Sequence, residues 1–155
     1  MLLRIDLHLH SEFSWDSKVP LELYIKKAEE EGFGAISITD HNSTESHEII
    51  KNKQKTTDVL LIPGQEINTL DGHLLIYGWL PTIDRDLTMK ETIIEARKKA
   101  ANNKVYCIAA HPFDSFRGGK GKRVFDADID GIEILNASAL LGIFNTRAKN
   151  HSKFM

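Results

Sequence analysis

The stretch PLELYIKKAEEEGFGAISITDHNS, residues 20–43, changes its hydrophobic period within a few residues. Leu21, Ile25 and Ala28 recur at helical spacing, Pro20 suits a first turn and Gly32 a stop, which predicts a helix over 20–32. The apolar run at 34–40 then predicts a strand. Asn42 or Ser43 follows as the expected cap of a second helix reaching about Lys55. One helix–strand unit is thus complete, and its last residues, Asp40 and His41, carry chemistry.

Reading outward, the same unit recurs. Residues 2–9 predict a strand before it, and 58–68 a strand after it. Residues 72–79 follow so closely across TLDG that they predict a hairpin partner or a short crossover. A helix is expected over 88–103, with Met89, Ile93 and Ala96 on one side and Thr88 as its cap. Strands are expected over 104–111 and 130–137, and a last helix from about Ser138. Strands that alternate with helices and are buried on both faces imply an α/β fold with a mainly parallel sheet, open or closed into a barrel. The 155 residues suit one domain over 1–155.

Bulk composition narrows the function. A formal net charge of −2 gives no general electrostatic footprint for nucleic acid, so any phosphate preference must be local. MLLRIDLHLH is too short and polar for a signal peptide or membrane span, so a cytoplasmic chain with no membrane partner is expected. The one cysteine, Cys107, cannot form an internal disulfide, and its setting VYCIAAH predicts a buried strand residue.

In parallel α/β folds, chemistry gathers at the C-terminal ends of the strands. The first strand ends in DLHLH, where alternation turns Asp6, His8 and His10 to one face and Ile5, Leu7 and Leu9 to the other. Alone, these histidines could be metal ligands or could simply face solvent. The other strand ends decide between the two. The second ends in Asp40 and His41, the third in Glu66, the next begins with His73, and the fifth ends in His111, while Asp16 lies in the loop after the first. Five of the seven histidines, joined by carboxylates, therefore predict a metal site. His47 and His151, on predicted helices, are expected at the surface.

Several segments in order, DLHLHS with the following Asp16, ITDHNS, GQEI, GHLLIYG, AHPF and DGIEILNA, resemble the polymerase and histidinol phosphatase (PHP) family over nearly the whole chain. The resemblance implies a distorted seven-stranded β/α barrel with two or three divalent metals at its C-terminal mouth and hydrolysis of phosphate esters. It implies His8 and His10 as first-motif ligands, Asp16, His41, Glu66 and His111 at later ligand positions, and His73 at a more variable one. The family's late Gly-Ser-Asp-Ala-His motif does not appear after DGIEILNA. The expectation is therefore an incomplete or shortened (β/α)7 barrel, whose open edge another copy or a separate chain would cover.

Imidazole and carboxylate donors without thiolates suit zinc, manganese or iron better than magnesium. Two such ions can carry a bridging hydroxide as nucleophile and clamp a phosphoryl oxygen. Asp6 and Asp40 are expected to orient ligand histidines through their second ring nitrogen, with direct ligation the alternative for Asp6 and helix capping for Asp40. Glu133 could be an interior polar residue or a neighbour of the site. The basic loop FDSFRGGKGKR, 113–123, could grip a substrate phosphate through Arg117, Lys120, Lys122 and Arg123, or be a solvated surface loop. The expected function is a metal-dependent phosphoesterase acting on a nucleotide, an oligonucleotide end or a small metabolite phosphate. The alternatives are a metal-binding remnant with a regulatory or assembly role, and a hydrolase of carbon–nitrogen bonds.

Overall fold

The computed structural model describes residues 2–139 and 141–152. Six strands form one sheet in sequence order: β1 (Arg4–Leu9), β2 (Phe33–Ile38), β3 (Leu60–Thr69), β4 (Gly72–Tyr77), β5 (Tyr106–Ala109) and β6 (Gly131–Ile132). Among the described residues four α-helices accompany them: α1 (Leu21–Glu31), α2 (Ser46–Lys53), α3 (Met89–Lys99) and α4 (Gly142–Ser152). β1, β2 and β3 are mutually parallel, β4 runs antiparallel between β3 and β5, and β6 is parallel to β5. The segment at 72–77 is thus a hairpin partner, closed by the tight Thr69–Gly72 connection. Its reversed direction brings the start of β4, with His73, to the end of the sheet where the other strands finish.

Period-2 alternation divides the sheet into two faces. Ile36, Ile38 and Leu61 meet Leu21, Ile25 and Ala28 of α1 and Ile50 of α2 in one core cluster. Ile67, Leu74, Ile76, Cys107 and Ala109 meet Met89, Ile93 and Ala96 of α3 in a second. Burying each leucine, isoleucine or methionine among them contributes about 1.5–3 kcal/mol, which is what turns these residues outward to the helices and leaves the opposite parity facing inward. Gly32 ends α1 in the left-handed region at φ 70°. Thr88 caps α3 in a reciprocal capping box with Glu91.

The sheet curls into a half-barrel, and its two edges approach across the concave face. From the interior strand β4, the Tyr77 hydroxyl donates across that face to the Leu7 carbonyl of β1 at 3.0 Å. His8 Nδ1 lies 3.1 Å from Glu133 Oε1, just beyond β6. Side chains, not a strand ladder, join the edges there. Asp6 Oδ1 accepts the His8 N–H at 3.2 Å, which occupies a backbone donor of the edge strand.

Several expectations need correction. The sixth strand is two residues long, not 130–137, because the chain leaves the sheet at Glu133 to turn its carboxylate onto His8 and His111. The last helix begins at Gly142, not Ser138, because Ser138 is held by Asn136 Oδ1 in a turn. α2 begins at Ser46; Asn42 sits at φ 49° with its Oδ1 accepting the Asn68 N–H, so it ties the loop to β3 instead of capping. His47 is not a surface residue. It is buried on the inner face of α2, with Nε2 3.1 Å from the Gly64 carbonyl and its ring edge-on to Trp79. No helix among the described residues is long and apolar enough to cross a membrane.

Candidate metal centre

The inward parity of the strands puts ligand-type side chains on one wall, and the strand ends bring them to one mouth. At the centre is Glu66, 1% exposed in the second half of β3. Its Oε2 lies 3.1 Å from His8 Nε2 and 2.9 Å from His10 Nε2, and those two ring nitrogens are 3.2 Å apart. Its Oε1 lies 3.1 Å from both His73 Nδ1 and His111 Nε2. His41 Nε2 approaches within 3.4 Å of Oε2 and 3.7 Å of Asp16 Oδ2. All seven residues expected as ligands are thus brought together.

A hydrogen-bonding account of this cluster is incomplete. One carboxylate faces five imidazoles, and the two Nε2 atoms of His8 and His10 point at the same oxygen. The buried Nδ1 atoms of His41 and His111 have no hydrogen-bond partner among the described residues. Buried polar groups normally have one. Nitrogen lone pairs and carboxylate oxygens converging on a small volume fit divalent cations. Three triads have ligand atoms within 4.8 Å of one another: His8–His10–Glu66, His10–Asp16–His41 and His41–Glu66–His73. The donors are nitrogen and oxygen only; Cys107 lies on the opposite face of β5.

Electrostatics follow from this crowding. Burial would raise the Glu66 carboxyl, but the surrounding imidazoles hold it well below the usual carboxylate range. Burial disfavours a charged His8, yet Glu133 and Glu66 outweigh it and lift the ring to about 10. His10 is raised against burial by Glu66 and Asp16, whereas burial and the neighbouring His10 lower His41.

Loops fix the remaining members. Ser14, almost fully buried, accepts the His41 N–H at 3.1 Å and donates to Asp16 Oδ1 at 2.5 Å, while Asp16 Oδ2 lies 2.9 Å from His10 Nδ1. Glu133 lies against His8 Nδ1 through one oxygen and accepts the His111 N–H at 2.7 Å through the other. Asn136 donates to both. That anchorage holds His111 at φ 28°, an uncommon conformation for a residue with a Cβ.

Glu133 therefore does the orienting expected of Asp6 and Asp40. Asp40 is spent elsewhere: its oxygens accept the Ser11 N–H at 2.6 Å and the Ser11 hydroxyl at 2.9 Å, fully buried. It neither caps a helix nor touches an imidazole, and the Asp6 carboxylate turns along the strand edge. Among the basic residues of the 113–123 loop, Arg117 alone lines the cleft above the cluster. Lys120 does not: it sits between the short 3₁₀ turns Ser115–Arg117 and Gly121–Asp126, its stem beside Gly72. The cleft encloses about 1240 Å³ and continues into the concave face of the sheet. Ser14 and Glu133 were the functional residues least visible in the sequence. Glu133 had one signal, a carboxylate at the end of a strand.

Comparisons with known proteins agree with this architecture. Residues 6–135 match the family described as PHP domain. The uncharacterized protein MJ1587 of Methanocaldococcus jannaschii is 30% identical over 158 aligned positions, covering 96% of this chain and 90% of that protein. A DNA polymerase III of PolC type from Lacticaseibacillus paracasei is 33% identical over 92 positions, 59% of this chain and 6% of the polymerase. Among solved structures, a candidate metal-dependent phosphoesterase from Bifidobacterium adolescentis superposes with a TM-score of 0.77 at 13% identity, covering 98% of this chain and 84% of that one. An amidohydrolase from Chromobacterium violaceum with bound sulfate and no metal gives 0.65 at 13% identity, covering 96% and 84%.

Proposed function

We propose, on the premise that this chain belongs to the PHP domain family, that it is a metal-dependent hydrolase of phosphate esters. Its substrate would be a nucleotide, a nucleic-acid end or a small phosphorylated metabolite. The observation that carries the reading is the buried Glu66 carboxylate with His8, His10, His73 and His111 in contact and the His10–Asp16–His41 triad beside it. These residues would hold two or three divalent ions, and the nitrogen–oxygen donor set favours zinc, manganese or iron over magnesium. Such ions, when bound, supply Lewis acidity and lower the pKa of a coordinated water to about 7.

The chain's own residues divide the remaining work. Glu133 fixes the His8 ring and Ser14 fixes Asp16, so both donors are aimed before a ligand arrives. Arg117 lines the cleft and offers a planar guanidinium that can take two phosphoryl oxygens at once. The reacting oxygen would come from water. Likeness in fold to a candidate metal-dependent phosphoesterase supports the choice of phosphate.

The test is hydrolysis of a panel of aryl phosphates, nucleotides and amides by protein loaded with manganese or zinc, beside elemental analysis. His10→Ala and His41→Ala should each lower metal content and phosphate turnover together. Full turnover in both variants refutes the assignment. A parent protein that binds metal but hydrolyses nothing in the panel would instead be a metal-binding remnant with a regulatory role, and cleavage of amides alone would move the reading to carbon–nitrogen bonds.

A further inference from the structure

We propose that Trp15 is a specificity-determining residue that selects phosphate esters whose alcohol carries a flat aromatic or heteroaromatic ring. The proposal deepens the phosphate-ester reading and rests on it. Trp15 is 77% exposed, yet it is not a stray surface side chain: its indole stacks on the His41 ring at 5.4 Å between centroids and 25° between planes, and it lines the cleft. An exposed tryptophan gains little from core packing, and an indole face left open at the lip of a cleft is a stacking platform.

The platform is held in place. Ser14, the preceding residue, is almost fully buried and bridges the His41 N–H to Asp16, the following one. Trp15 is therefore flanked by two anchored residues while its own ring remains open, so little ordering is left to the moment of binding. Elsewhere in the lining, Phe116 at 71% and Leu135 at 74% exposure add apolar surface to the same cleft. Arg117, next to Phe116, is a cation of the same lining. Arg117 thus stands beside exposed apolar surface in the cleft lining. A phosphate seated against the His41 side of the cluster would leave its alcohol beside the indole. The ring could be a nucleobase or a simple aryl group, since both stack.

Phosphonates, whose P–C bond resists hydrolysis, test this without turnover. Benzylphosphonate, an adenosine 5′-methylenephosphonate and n-butylphosphonate would be titrated into manganese-loaded protein by calorimetry. In parallel, intrinsic fluorescence of a Trp79→Phe protein would report Trp15 alone, because the chain has two tryptophans. At least one ring ligand should bind about tenfold tighter than the butyl compound, a difference of about 1.4 kcal/mol, and quench Trp15. Which ring ligand gains identifies the source of the ring. Trp15→Ala should bring the ratio to within about twofold, and Trp15→Phe should preserve most of it. Equal affinity for all three ligands, no binding of any, or a preference that survives Trp15→Ala overturns the proposal. Ring preference without hydrolysis of any phosphate ester would sink the hydrolase reading and leave Trp15 in its role; turnover without ring preference does the reverse.

Discussion

Replacing Glu133 by glutamine keeps the size of the side chain and removes its charge, which isolates what this carboxylate does for His8. In the native arrangement both oxygens accept: one faces His8 Nδ1 at 3.1 Å, the other takes the His111 N–H at 2.7 Å, and Asn136 donates to each. A glutamine has one accepting oxygen. Its amide nitrogen must then face either the His111 N–H, where two donors oppose, or His8 Nδ1. In the second case Nδ1 must give up its proton, and Nε2, the nitrogen aimed at Glu66 and the metal volume, takes it. A hydrogen bond to a charged group is worth about 1.5–3 kcal/mol, which corresponds to roughly 10- to 150-fold in an equilibrium constant. Loss of an outer partner of a ligand histidine independently suggests roughly 10- to 100-fold. We therefore expect Glu133→Gln to weaken zinc or manganese affinity by about 10- to 100-fold at pH 7.5. The measurement is competition against a chromophoric chelator, with circular dichroism confirming an unchanged fold. Affinity within twofold of the parent would show that His8 needs no carboxylate behind it, and the reasoning would fail.

Two further outcomes follow from burial. Burial lowers the His47 pKa, so the folded state disfavours the proton that the unfolded chain accepts. The sign is then fixed: this contribution to stability is complete above the unfolded value of about 6.5 and is lost as pH falls below it towards the depressed folded value. In metal-free protein the parent should lose more stability than His47→Gln between pH 7.5 and 5.5, read from urea midpoints; equal losses would remove His47 from the account. Cys107 is buried, and burial with the nearby Asp130 pushes its thiol up to about 12. At pH 8 the folded protein should therefore react with an aromatic disulfide reagent far more slowly than the unfolded chain, and rapid labelling of the native state would contradict the packing described for β5.

The α/β alternation was readable because it rests on local rules. The period of Leu21, Ile25 and Ala28, the left-handed stop at Gly32 and the capping box at Thr88 each need only a few neighbouring residues. Alternation along the first strand was equally local and placed His8 and His10 on one face, while Glu66, His73 and His111 stood out by their places near strand ends, without knowledge of any contact between them. Tertiary structure alone decided what each of these residues meets. Glu133 reaches His8 across a sequence separation of 125, Asp40 is consumed by Ser11, and His47 is buried because α2 packs that side against β3 and Trp79. A side chain's type and face are written in the near sequence, whereas its partner depends on how far the sheet curls and where the chain leaves it. That curvature is a sum over the whole fold, and no short stretch of residues contains it.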